Sequence, residues 1–75
     1  MKLNKDSLKK CIEKTETLGL VAESLTMKHL LAENCSYEDA CVFLSAIDLY
    51  KGSDLGAVRR GIANYLICFD TEQHV

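Results

Sequence analysis

"SDLGAVRRGIANYLICFD", residues 53–70, carries the most regular apolar stripe in the chain: Leu55, Val58, Ile62, Tyr65, Leu66 and Phe69 return at helical intervals. The same stretch holds two adjacent arginines, and small residues at Gly56, Ala57 and Gly61 where a helix ordinarily carries something larger. The expectation is a helix capped by Ser53 or Asp54, with its stripe from Leu55 to Phe69 against the core. Ala57 and Gly61 fall on a further face, continued by Asn64 and Cys68, where a neighbouring backbone can come close. That neighbour is either the first helical segment or a second subunit. Ala57, Gly61, Asn64, Tyr65 and Cys68 are the expected dimer contact, because 75 residues struggle to cover two faces of one helix.

Upstream, "SYED" at residues 36–39 reads as a helix start. Ser36 can accept from the backbone amide of Asp39, while Glu38 and Asp39 sit at the positive end of the helix dipole. The helix that follows lines up Ala40, Phe43, Leu44, Ile47 and Tyr50 beside Cys41, and Gly52 supplies its stop. Cys41, Phe43, Leu44, Ile47, Val58, Ile62 and Leu66 are expected to be buried.

From Lys5 to Glu33, Leu8, Cys11, Ile12, Thr15, Leu18, Ala22, Leu25 and His29 recur in steps of helical length. Gly19 interrupts them, so this segment is one bent helix or two short ones, closed by Asn34, which tolerates the left-handed conformation. No strand-like alternation competes. The fold expected is all-α: a small three-helix domain over residues 1–75 that forms a helical homodimer.

Composition narrows the function. Hydrophobic residues are 48% of the chain, charged residues 27%, and proline is absent, which argues against disorder and against a loop-rich fold. No apolar run is long enough for a membrane span, and residues 1–10 lack the apolar centre of a secretory signal, so a cytoplasmic setting is expected. Net charge is −2 but segregated: residues 1–14 carry Lys2, Lys5, Lys9, Lys10 and Lys14 against Asp6 and Glu13, a net +3, and the remainder sums to −5. The basic start suits phosphate or an acidic partner, or forms a solvated face in which Asp6 pairs with Lys10; residues 70–75 form an acidic tail. Arg59 and Arg60 stand nearly alone in an acidic body that would repel a duplex. They are therefore assigned to a protein partner or to solvent, and direct nucleic acid binding is not expected.

Catalytic and metal chemistry find no support. Cys11, Cys35, Cys41 and Cys68 are separated by 23, 5 and 26 residues, matching neither paired zinc spacing nor a redox CxxC. His29 with Cys35 and Cys41 lacks a fourth ligand. The thiols are expected to be reduced and structural. No glycine-rich phosphate loop or nucleophile elbow is present, so neither cofactor, metal nor enzyme activity is expected.

"ESLTMKHLLAENCSYEDACVFLSAIDLYKGSDLGAVRRGIANYLICFDTEQ", residues 23–73, resembles in layout the YmgB/AriR-type small biofilm and acid-resistance regulators of enteric bacteria. The features are a short apolar helix (Met27 to Ala32), a polar turn (Asn34 to Ser36), a helix ending in an acidic turn (Ala40 to Tyr50, Gly52 to Asp54), and a last helix with a basic pair and an aromatic end (Arg59 to Arg60, Tyr65 to Asp70). The resemblance implies an all-α dimer serving as a cytoplasmic connector to a phosphorelay or transcriptional regulator. "VFLSAID", residues 42–48, is similar to a segment of the Hha-type nucleoid-associated modulators, which also act by binding another protein. Two functions are thus expected in order: a regulatory adaptor that binds a signalling or transcription-regulatory protein, and a secretion-type chaperone or antitoxin-like binder that masks an apolar segment of one cognate protein.

Overall fold

Asn4 opens the helical part of the chain: its side-chain oxygen accepts from the Ser7 backbone N–H at 3.0 Å and fixes the first turn of α1 (Lys5–Thr17). The computed structural model describes residues 1–49 and 55–70, and three further helices follow in it: α2 (Val21–Ala32), α3 (Tyr37–Asp48) and α4 (Gly56–Ile67). The protein is mostly helical, as expected. The described residues hold four helices rather than three because the first segment divides at Gly19.

Gly19 has φ +77°, and Asn34 after α2 has φ 53°, the left-handed conformation glycine and asparagine tolerate best. The two turns are built alike. Leu20 donates its amide to the Thr15 carbonyl, and Cys35 donates to Leu30, so each turn satisfies carbonyls that the ending helix leaves free. Ser36 then starts α3 by accepting from the Asp39 amide at 3.1 Å. The expected caps Gly52, Ser53 and Asp54 lie outside the described residues.

The turn at Gly19 resets the helical phase, and this corrects the expected core. Leu8, Ile12 and Thr15 of α1 are buried as expected. In α2, however, Glu23, Ser24, Met27 and Leu30 turn inward, while Leu25 is 57% exposed and Ala22 and His29 are exposed too. Leu18, at the end of α1, is also exposed. The apolar face read across residues 5–33 is inward in α1 and outward in α2.

The central helix is α4. α2 runs along it, α3 packs on its other side, α1 packs chiefly on α2, and α2 and α3 scarcely meet. Ile62, Tyr65 and Cys68 join Leu8, Ile12, Met27, Leu30 and Ala40 in the core. Since α3 has α4 as its main neighbour, only Ala40 of that helix is fully buried. Phe43, expected inside, is 48% exposed, and Cys41, Leu44 and Ile47 are half-buried, as are Val58 and Leu66 on α4.

Two short strands close the molecule. β1 (Lys2–Leu3) pairs antiparallel with β2 (Phe69–Asp70), with Lys2 opposite Asp70 and Leu3 opposite Phe69. The Asn4 amide extends the pairing by donating to the Cys68 carbonyl at 2.8 Å. Phe69 stands edge-on to Tyr65 and to Tyr37, with ring centroids 5.3 and 5.5 Å apart, so the ends of the described chain are tied to both α3 and α4.

Candidate functional site

The small-residue face of α4 is filled within the chain. A Cβ placed on Gly61 would stand 2.8 Å from Thr26 Cβ and 3.0 Å from the Glu23 carbonyl, closer than real side chains approach, so α2 is the backbone that uses this gap. Tyr65 is fully buried and donates its hydroxyl to the Cys35 carbonyl at 2.6 Å, and Cys68 is buried in the core. Ala57 and Asn64 are half-buried. Of the five residues assigned to a dimer contact, Gly61, Tyr65 and Cys68 are therefore covered inside a single chain.

The arginine pair is also engaged. Arg59 donates to Asp48 of α3 at 2.6 Å with both side chains about half-exposed, and this hydrogen bond raises the Arg59 pKa. Arg60 pairs with Glu23 of α2, whose side chain is only 6% exposed. The two arginines thus fasten α4 to its two neighbours, one on each side. Lys28 of α2 pairs with Glu16 of α1. The expected Asp6–Lys10 pair is not among the ion pairs of the described residues.

The four cysteines are free thiols, Cys68 buried and the others half-buried. Burial, and then the nearby Cys11 and Asp70, raise the Cys68 pKa; burial, and then Asp39 and Glu33, raise that of Cys35. These environments disfavour thiolates, which a nucleophile or metal ligand would need. Among the described residues no three His, Cys, Asp or Glu side chains gather to hold a metal ion.

An open groove of about 400 Å³ lies between α2 and α3, floored by α4. It exists because α2 and α3 diverge along opposite sides of α4. Leu25, His29 and Leu30 form one wall, Phe43, Ala46 and Ile47 the other, and Val58 and Ile62 the floor. Its lining is almost wholly apolar, with His29 and the Thr26 hydroxyl as polar exceptions, and that hydroxyl is turned back onto the Ala22 carbonyl at 2.7 Å. Outside this lining, Val21 at the start of α2 and Leu49 after α3 are also apolar and 61% and 81% exposed.

Sequence reasoning missed this site because its wall residues were taken as core. The signal was present in the composition of α3, where Val42, Phe43, Ala46 and Leu49 supply a second apolar stripe beside the inward one. No described helix is long and apolar enough to cross a membrane. Comparison of the chain with protein-family models, with curated proteins and with solved structures finds no match in any of the three.

Proposed function

We propose that the protein is a small non-enzymatic regulatory adaptor that recognises a protein partner by seating an amphipathic helix in the α2–α3 groove. The observation that carries this reading is the groove itself, an apolar cleft flanked by two helices whose outward faces are apolar. Helix-in-groove recognition needs these parts: a row of side-chain sockets and rims that cover the seated helix. Cleft size agrees, since about 400 Å³ holds a few side chains rather than a whole helix.

The same observation favours the alternative function, a binder that masks the apolar segment of one cognate protein. Such a binder needs an exposed apolar cleft and no self-association through α4. The adaptor class is kept first because it accords with the layout resemblance to YmgB/AriR-type connectors. Under the alternative, the partner should be insoluble without this chain and soluble when made with it; an adaptor's partner should be soluble alone.

A photoreactive amino acid in place of Phe43 should cross-link a protein in native cells, whereas the same group in place of Lys9 on α1 should not. The cross-linked segment, made as a peptide, should bind the wild type and lose at least about tenfold in affinity for Phe43→Asp, as expected for an anchoring contact. Cross-linking from Lys9 alone, or a peptide indifferent to Phe43→Asp, would refute the groove as the recognition site.

A further inference from the structure

We infer that, in the absence of another partner, the groove is occupied by α2 of a second copy of this chain, giving a two-fold dimer through the α2–α3 face. The inference rests on the reading that the groove seats an amphipathic helix, and it names the helix. α2 is itself such a helix: Val21, Ala22, Leu25, His29 and Ala32 all lie on its exposed side. Leu25 is at once a wall of the groove and a protruding apolar side chain, so one surface carries both socket and knob. That self-complementarity is what a two-fold interface requires, where residue i of one copy meets residue j of the other and the reverse contact is made as well.

Area supports this occupant. Val21, Leu25, Val42, Phe43 and Leu49 are 61, 57, 65, 48 and 81% exposed. At roughly 150–200 Å² for a fully exposed side chain of this size, they present on the order of 500 Å² of apolar surface. A stable interface takes about 800 Å² from each partner, of which about 60% is apolar. Leu25 and Phe43 line the groove itself, and with Val21, Val42 and Leu49 on the same two helices the apolar surface comes close to what a dimer of this chain needs.

Charge supports it too. A body that is net acidic repels its copy unless they meet where charge is neutralised. Among the described residues the charged side chains of these helices form three pairs, Arg60 with Glu23, Arg59 with Asp48 and Lys28 with Glu16, and His29 is the one titratable group in the lining. Of the described carboxylates outside those pairs, Glu33, Glu38 and Asp39 cluster at the turn joining α2 to α3, and Asp6, Glu13 and Asp70 belong to α1 and β2, neither of which lines the groove. Antiparallel α2 helices place the two acidic turns at opposite ends of the interface, where they do not face one another. This is a different face from the α4 contact expected from the sequence.

Sedimentation equilibrium on the full chain tests the inference. The wild type should be dimeric at micromolar concentration. Leu25→Asp, at an exposed position that costs the monomer little, should weaken the dimer by about 100-fold or more, since the substitution enters a two-fold interface twice. Its far-ultraviolet helical signal should be unchanged. Ile67→Asp, 78% exposed on α4 away from the groove, should leave the dimer intact. A wild type that stays monomeric at 100 µM (about that concentration being ample for a standard interface), or a Leu25→Asp variant that still dimerises, overturns the inference. The functional reading fails separately: a monomeric wild type that still captures a partner helix at Phe43 keeps that reading, whereas a Leu25-dependent dimer that captures none removes it and leaves the dimer standing.

Discussion

Gly61 of α4 lies directly against Thr26 of α2, with room for a hydrogen but not for a methyl group, since a Cβ there would come within 2.8 Å of Thr26 Cβ. The two helices therefore meet at backbone distance at this point. Gly61→Ala should destabilise the fold by about 1–3 kcal/mol through overpacking, outweighing the modest gain in helix propensity. Gly61→Leu should cost more and lower helicity as well, because the residue lies inside the monomer. Urea denaturation followed by circular dichroism measures both. A Gly61→Leu variant as stable as the wild type would show that α2 does not occupy that gap.

The adjacent arginines should behave differently. Arg60→Ala strands a carboxylate on Glu23 that is nearly buried, and should cost about 1–3 kcal/mol, less than for a fully buried pair because the arginine side is mostly exposed. Arg59→Ala breaks a pair that is open to water on both sides, and its denaturation midpoint should be close to that of the wild type. Glu23→Gln combined with Arg60→Ala should recover part of the loss, since it removes the stranded charge.

Tyr65→Phe deletes the hydroxyl that donates to the Cys35 carbonyl and leaves the ring in the core. The expected cost is about 1 kcal/mol. Thermal melts should show it, and the turn after α2 should then exchange its amide hydrogens faster than in the wild type, because the hydroxyl pins that turn to α4.

Alkaline pH should unfold the protein earlier than its acidic composition suggests. Cys68 and Cys35 are raised above their ordinary 9.0, and Tyr65 above 10.0, chiefly by burial. For a group that is neutral when protonated, a raised native pKa means the native state holds its proton more tightly than the unfolded chain does. The stability from these groups is complete below pH 9 and is lost as pH rises through the native values. Midpoints in urea at pH 7.5, 9.5 and 10.5 should fall progressively, and Cys68→Ala should flatten the decline.

Much of the helical plan was legible, and the reasons are local. Ser36 with Asp39, and Asn34 at the end of α2, announce themselves in sequence because a cap satisfies backbone groups only a few residues away. Gly19 marked a break but not its geometry. Whether a glycine bends a helix or ends it decides the phase of everything downstream, and the inward turn of Glu23 and Ser24 follows from that. Glu23 could not be read as buried because its cation, Arg60, is 37 residues away. The strands were too short to show alternation. The groove was hidden for a related reason: an apolar stripe indicates what a helix would bury, but only the positions of the other helices say whether anything in the same chain covers it.

The pairing of β1 with β2 gives the molecule a closing step that must follow the emergence of all four described helices. Asn4 and Asp70, whose side chains hydrogen-bond across a sequence separation of 66 residues, lie at nearly opposite ends of the described chain. Contacts of that span form only after the intervening loop is closed, at an entropic cost that local helix contacts avoid. On the ribosome, α1 and α2 can pair as soon as they emerge, but the latch holding the start of α1 must wait until residue 70 has left the exit tunnel. A nascent chain stalled before that point carries α1 and α2 with Leu8, Met27 and Leu30 uncovered by Tyr65, in the form most open to chaperones and proteases.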